Sequence, residues 1–318
     1  MRPYLIRRWL TDVVLPLFLR PLVAFGRAIE KGLGPRPAFW LLSPVLLIDF
    51  LRRLPDFNYF QRLRSQLPSS ISQPPAWLHF WDMIRTWQET LAICLLYDRL
   101  GDPAWTQRIT VVGIMPNQLP EWSHRPVVLA SLHSGGFGLL RYWLRARNIP
   151  TALLLAYLPI IVGPLAARIR TAGDIRYRLS NIPHTISIQN ALREAIRFLV
   201  PGRALVVALD GGKKADLPVL CPVEGAVFHL KDGAVRLAQR NHALLIPVFV
   251  HRLAPFRFEV HFGSPVPDDL LAQKESQPTM QYLATAFWDH LRRDPYAFNW
   301  TVLEGLTPDK IEERTPWP

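Results

Sequence analysis

The chain has 318 residues, 49% of them hydrophobic, with 37 Lys+Arg against 25 Asp+Glu and a net charge of +12. That length suits one large domain, or one domain with an appendage. Its two cysteines, Cys94 and Cys221, lie in apolar surroundings. They read as buried free thiols, which excludes a disulfide framework, and no Cys/His cluster has zinc-like spacing.

The charge favours anionic partners: nucleic acid, acidic lipid, an acidic carrier protein or a phosphorylated cofactor. Nucleic-acid binding would show as a compact basic patch. Here the arginines are scattered among Trp, Leu and Pro, which suits a membrane surface better. Nucleic acid as a partner rests on net charge alone and is not expected.

The N-terminus, "MRPYLIRRWLTDVVLPLFLRPLVAFGRAIEKGLG", is basic and apolar. Its apolar runs are broken by Pro16, Arg20 and Pro21, so none reaches the ~18–20 residues that a spanning helix needs. It also lacks a small-x-small cleavage site, so no cleaved signal peptide is expected. The pattern predicts an interfacial helix, with Arg2, Arg7, Arg8, Arg20 and Arg27 near headgroups and Trp9, Leu10, Leu17 and Phe18 below them. "FWLLSPVLLIDFL" adds a second apolar segment. "PSSISQPP", residues 68–75, reads as a linker. It divides a membrane-associating helical region, 1–67, from the remainder, 68–318.

After the linker, Trp77, Trp81, Ile84, Trp87, Leu91 and Leu95 recur at helical spacing, and that stripe reads as core packing. From about residue 125 the pattern alternates. "PVVLASL" is a strand and "GFGLLRYWLRARN" a helix. "ALLLAY" is a strand inside the longest uncharged run, 149–167. That run is long enough to span a membrane, but Pro150, Pro159 and Pro164 argue for a buried strand followed by an apolar loop or short helix. Such a piece would line an acyl-chain groove. "TISIQNALREAIRFLV" reads as a helix, "ALVVAL" as a strand and "KDGAVRLAQRN" as a helix. "LLIPVFV" and "FRFEVHF" form an antiparallel strand pair, and a long helix follows Pro278. Short apolar strands between helices predict a mixed α/β fold, with a mostly parallel central sheet flanked by helices.

Sites in such sheets lie at the carboxyl ends of the strands. Two strands end in reactive groups: "PVVLASL" at His133, and "ALVVAL" at Asp210 in "ALDGGKK". Glycines follow both and let a ligand approach the backbone N–H groups. Three readings of His133 compete. It is a structural histidine capping a strand, part of an esterase oxyanion loop, or a general base. The esterase reading needs a G-x-S-x-G nucleophile elbow downstream, and the chain has none. A general base activating a hydroxyl for attack on an acyl thioester needs no enzyme nucleophile. It needs oxyanion donors and an apolar slot.

These residues carry a resemblance to the lipid A late acyltransferases (the lauroyl/myristoyl transferases), within the wider glycerolipid-type acyltransferases. That family has an H-x4-(D/E) motif at a strand-to-helix turn, and His133 takes the histidine position. "GRALVVALDGGKK" resembles its next strand and loop, with Asp210 in place. "CPVEGAVFHLKDGAVRLAQRNHALLIPVFVHR" follows with Gly233, Arg236, Leu237 and Ala238, then "FEVHFGSPV" and "DPYAFNW". The resemblance runs from about residue 80 to 300.

It implies an acyltransferase-like α/β domain over 68–318 and a membrane-anchoring N-terminus. It also implies acyl carrier protein or coenzyme A thioester as co-substrate with no permanently bound cofactor or metal, and a lipid acceptor. His133 would be the base. Ser134, Gly135 and Gly136 would offer backbone donors to the oxyanion. Arg168, Arg170, Lys213 and Arg236 would bind substrate or phosphate, with Arg176, Arg178 and Lys214 nearby.

The family acid falls at residue 138, and this chain has Gly138. Loss of an orienting carboxylate costs a catalytic histidine about 10⁴ in rate in the serine-protease case. Asp210 is the expected substitute, at hydrogen-bond reach of His133, ahead of Glu194 and Asp174. The chain also departs after Trp300, where "TVLEGLTPDK" replaces the family's His/Arg-rich stretch. The expected function is a membrane-associated acyltransferase at the cytoplasmic face, moving a fatty acyl group from a thioester to a hydroxyl of a lipid A-like glycolipid. The alternative is a catalytically impaired relative that binds lipid or a partner.

Overall fold

A computed structural model of the chain describes residues 54–95, 107–155, 185–187, 191–210 and 218–308. The N-terminal interfacial helix, Cys94's side chain and most of the 149–167 run lie outside the described residues.

The strands are β1 (Ile109–Val112), β2 (Val127–Ser131), β3 (Thr151–Leu155), β4 (Thr185–Ser187), β5 (Ala204–Ala208), β6 (Val219–Val223), β7 (Ala226–Leu230), β8 (Leu244–Ala254), β9 (Arg257–Phe262) and β10 (Leu306–Pro308). Seven form one sheet in the order β1-β9-β8-β2-β5-β3-β4. β8, β2, β5, β3 and β4 are mutually parallel. β9 returns antiparallel to β8, as its short connection required, and β1 runs parallel to β9. The fold is therefore mixed α/β with a mostly parallel sheet.

The apolar strands are buried on both faces, and period-2 alternation divides them between two cores. Val128, Ala130, Leu205 and Val207 pack on one side. Val127, Leu129, Ala204 and Val206 pack on the other. The second side is covered by α3 (Phe137–Ala146), whose Trp143 is fully buried and stacks on Phe262. The first holds α5 (Gly233–Arg240), α7 (Gln277–Arg293) and a small antiparallel sheet, β10-β7-β6. The remaining described helices are α1 (Phe57–Arg64), α2 (Ala76–Leu95), α4 (Ala191–Phe198), α6 (Asp268–Leu271) and α8 (Trp300–Glu304).

Three sequence readings change, and one hairpin had no reading. First, "TISIQNALREAIRFLV" is not one helix: β-branched Thr185 and Ile186 extend β4 along β3, and α4 begins at Ala191. Second, "VLCPVEGAVFHL" is a hairpin that turns at Gly225, with φ +70°. Third, α2 forms where expected, but its first two tryptophans do not face the core; the side chains of Trp87, Leu91 and Leu95 lie outside the described residues. Phe80 and Ile84 are 2% and 3% exposed, whereas Trp77 and Trp81 are 63% and 42% exposed. Fourth, residues 68–75, read as a linker, are not detached from the body, since Ile71 is buried in its core. Phe60, Leu63, Leu67 and Ile71 enter the same core as the sheet, and the Arg64 guanidinium donates to the Pro74 carbonyl.

Candidate active site

β2 and β5 are adjacent and in register, Ser131 opposite Ala208. Both chains leave the sheet at its carboxyl edge side by side, and the Leu209 N–H donates to the Ser131 carbonyl at 2.8 Å. Asp210 is then pinned from the far side by a bridge to Leu230, and the Lys231 N–H donates to the Leu209 carbonyl at 2.9 Å. This lattice buries Asp210 to 2% exposure.

A carboxylate so buried needs hydrogen-bond donors, and His133 supplies them. Its backbone N–H donates to both Asp210 oxygens, at 2.9 and 3.1 Å, and its Nδ1 lies 3.0 Å from Oδ1. The ionised carboxylate only accepts, so Nδ1 carries the proton and Nε2 is the basic nitrogen. Nε2 has no hydrogen-bond partner among the described residues. The His133 side chain is 40% exposed, and its ring meets the Phe137 ring edge-on at 4.9 Å. Burial lowers its proton affinity, but attraction and hydrogen bonds from Asp210 outweigh that, with the Lys231 charge opposing. The net effect raises the His133 pKa above the ordinary histidine value.

After His133 the backbone must cross β8 closely. Gly135 has φ +50°, and a Cβ there would lie 1.8 Å from the Val250 carbonyl oxygen. No other residue type fits this place. Gly136 caps α3, and a Cβ there would lie 2.8 Å from the Phe258 ring. Among the described residues, the backbone N–H groups of Ser134, Gly135 and Gly136 have no hydrogen-bond partner. They stand at the start of α3, where unsatisfied donors and the helix dipole favour an anion.

The structure thus brings together His133, Asp210 and the 134–136 loop, with the contact expected between the first two. Arg236 does not join them. It pairs with Asp232 at 2.7 Å and lines a surface hollow of about 550 Å³ with Gln239, Lys274, Glu275, Ser276 and Gln277. Glu194 is exposed on α4. Arg168, Arg170, Asp174, Arg176, Arg178, Lys213 and Lys214 lie outside the described residues. Sequence reasoning missed Lys231, whose charge acts on His133. Its signal was its place between a strand end and a helix start in "HLKDG".

Fold and site together define an α/β protein with an aspartate-supported histidine at the carboxyl edge of a parallel sheet. No protein-family model matches the chain, and no curated protein matches it. Among solved structures the chain is similar to the 1-acyl-sn-glycerophosphate (LPA) acyltransferase PlsC from Thermotoga maritima. The TM-score is 0.39 at 14% identity, over 77% of this chain and 97% of that one. That likeness is too loose to assign residues by superposition.

Proposed function

We propose that the chain is an acyltransferase that moves a fatty acyl group from a thioester donor to a hydroxyl of a glycolipid, lipid A-like in class. The observation that carries this reading is the His133–Asp210 pair, with Nδ1 held, while Nε2 and the N–H groups of residues 134–136 have no partner among the described residues. In this chemistry Nε2 takes the proton of the acceptor hydroxyl as its oxygen attacks the thioester carbonyl. The new oxyanion faces the 134–136 N–H groups. Collapse breaks the carbon–sulfur bond, and the leaving thiolate recovers the proton from His133. Asp210 stabilises the imidazolium in between and stands in for the acid missing at Gly138.

The thioester carrier is an acidic acyl carrier protein or coenzyme A, both drawn by the +12 charge. No helix of the described residues is long and apolar enough to cross a membrane. The basic, proline-broken N-terminus supports peripheral or N-terminal attachment at the cytoplasmic face. The test is a lipid mass spectrum of cells with and without the protein. One lipid class gaining one acyl chain supports the reading. An unchanged lipid profile with retained lipid binding favours the impaired relative.

A further inference from the structure

A second histidine–carboxylate pair lies one residue from the floor of the glycine loop. β8 outruns β2: their ladder ends with Ala130 opposite Pro247, and the Ser131 hydroxyl adds a last tie to the Val248 carbonyl at 2.8 Å. Beyond that point Val250 and His251 form the surface under Gly135. A Cβ at Gly135 would lie only 3.4 Å from the His251 Cα. This stretch has β9 on one flank, with Val250 opposite Val260 and His251 opposite Glu259. The β2 ladder no longer holds the other flank, so side chains must.

His251 is 7% exposed. Its Nδ1 lies 2.8 Å from Asp294 Oδ2, and its Nε2 meets Nε2 of His290 on α7. His290 in turn stacks on Phe249, with ring centroids 3.8 Å apart. The next residue, Arg252, is gripped by α2: it donates to Glu89 at 2.9 and 2.8 Å and to Asp82 at 2.7 Å. Burial first, then the charges of His251, His261 and Arg293, hold the His290 pKa down to about 3. His290 therefore stays neutral at working pH and meets His251 without charge repulsion. Glu259 and His261 on β9 and Arg293 on α7 complete the charged surroundings. Among the described residues these groups do not converge into a metal cage.

Apolar side chains would fill this corner at lower desolvation cost. A satisfied polar network instead selects one geometry. We infer that Asp294, His251 and His290 are positioning residues that fix the floor beneath Gly135, and through it the place of His133 against Asp210. Their effect on transfer rests on the general-base reading of His133; their effect on the His133 ring does not.

Three variants of the full chain separate positioning from packing. His290→Phe keeps the stack on Phe249 and removes the polar contact to His251. His290→Gln restores a polar group at that place. Asp294→Asn weakens the hold on Nδ1 and, with its side chain 29% exposed, keeps the test open should His290→Phe fail to fold. The titration of the His133 ring is followed by NMR on ¹³C-histidine-labelled protein, assigned with His133→Gln. In His290→Phe and Asp294→Asn the His133 midpoint falls, because a displaced loop loosens its bond to Asp210. In His290→Gln it stays near the wild-type value. Where transfer is measurable, kcat falls about tenfold to a hundredfold in the first two variants with KM unchanged. An unmoved His133 midpoint in folded variants overturns the inference, even if their thermal stability drops. If wild type transfers no acyl group but the midpoints move as stated, positioning stands and the acyltransferase reading alone fails.

Discussion

The two aspartate–histidine pairs of this chain are alike in their first contact and unlike in their second. His133 holds Asp210 at 3.0 Å and His251 holds Asp294 at 2.8 Å, each through Nδ1. The His133 side chain is 40% exposed and its Nε2 has no partner among the described residues, whereas the His251 side chain is 9% exposed and its Nε2 is closed by His290. An aspartate behind an imidazole is therefore no mark of catalysis in itself. What separates a base from a strut is whether a substrate proton can reach the second nitrogen.

The largest effect that sharpens this contrast is expected from Asp210→Asn. An asparagine keeps the shape but cannot stabilise the imidazolium, and transfer should fall about 10²–10⁴-fold in initial-rate assays. The matching change at the closed pair, Asp294→Asn, should cost no more than about a hundredfold. Equal losses would erase the distinction.

Gly135→Ala comes next. With φ +50° and the Val250 carbonyl in the way, the loop must shift. A displacement near 1 Å is worth about 10²-fold in rate. Circular dichroism should show the fold retained.

His133 and His290 also titrate in opposite senses. His133 must be neutral to act, and Asp210 raises its pKa. The transfer rate should therefore climb with pH through a midpoint above about 6.5, and the pH–rate profile of Asp210→Asn should move to lower pH. His290 is held down to about 3 in the fold, so the unfolded chain binds its proton more readily. Its neutral form leaves stability whole above about pH 6.5, and stability is lost as pH falls below that. His79, 1% exposed and pushed down to about 4, acts in the same direction. The drop in Tm between pH 7 and pH 5 should shrink in His290→Gln.

The smallest effect is expected from Gly138→Glu, which restores the family acid. Nδ1 of His133, the nitrogen that an orienting acid holds, is already occupied by Asp210, so the new carboxylate is not needed to fix the tautomer. Transfer rates should stay within about threefold of wild type, well under the cost of losing an orienting acid.

The open pair was legible in the sequence, because continuous apolar strands announce their own ends, and His133 and Asp210 stand at two of them. The adjacency of β2 and β5 was the one missing fact. The closed pair was not legible. His251 on β8 lies 39 residues before His290 on α7 and 43 before Asp294 in the turn after α7, and a histidine in an apolar strand has no local pattern to signal its partner. The face of α2 was misread for a related reason. Two stripes share Ile84 at helical spacing, and the aromatic one, Trp77 and Trp81, outweighed the stripe with Phe80 that the core selects. The β6–β7 hairpin escaped notice because Cys221 and Pro222 blur its alternation.

The most direct measurement is thiol release from an acyl thioester in the presence of a hydroxyl-bearing lipid, comparing wild type with His133→Ala in the full-length chain. The account predicts lipid-dependent release by wild type and a fall to the uncatalysed background in His133→Ala, with Tm lowered but the fold kept, because the backbone N–H of residue 133 still donates to both Asp210 oxygens. Lipid-dependent release that persists in His133→Ala would contradict it.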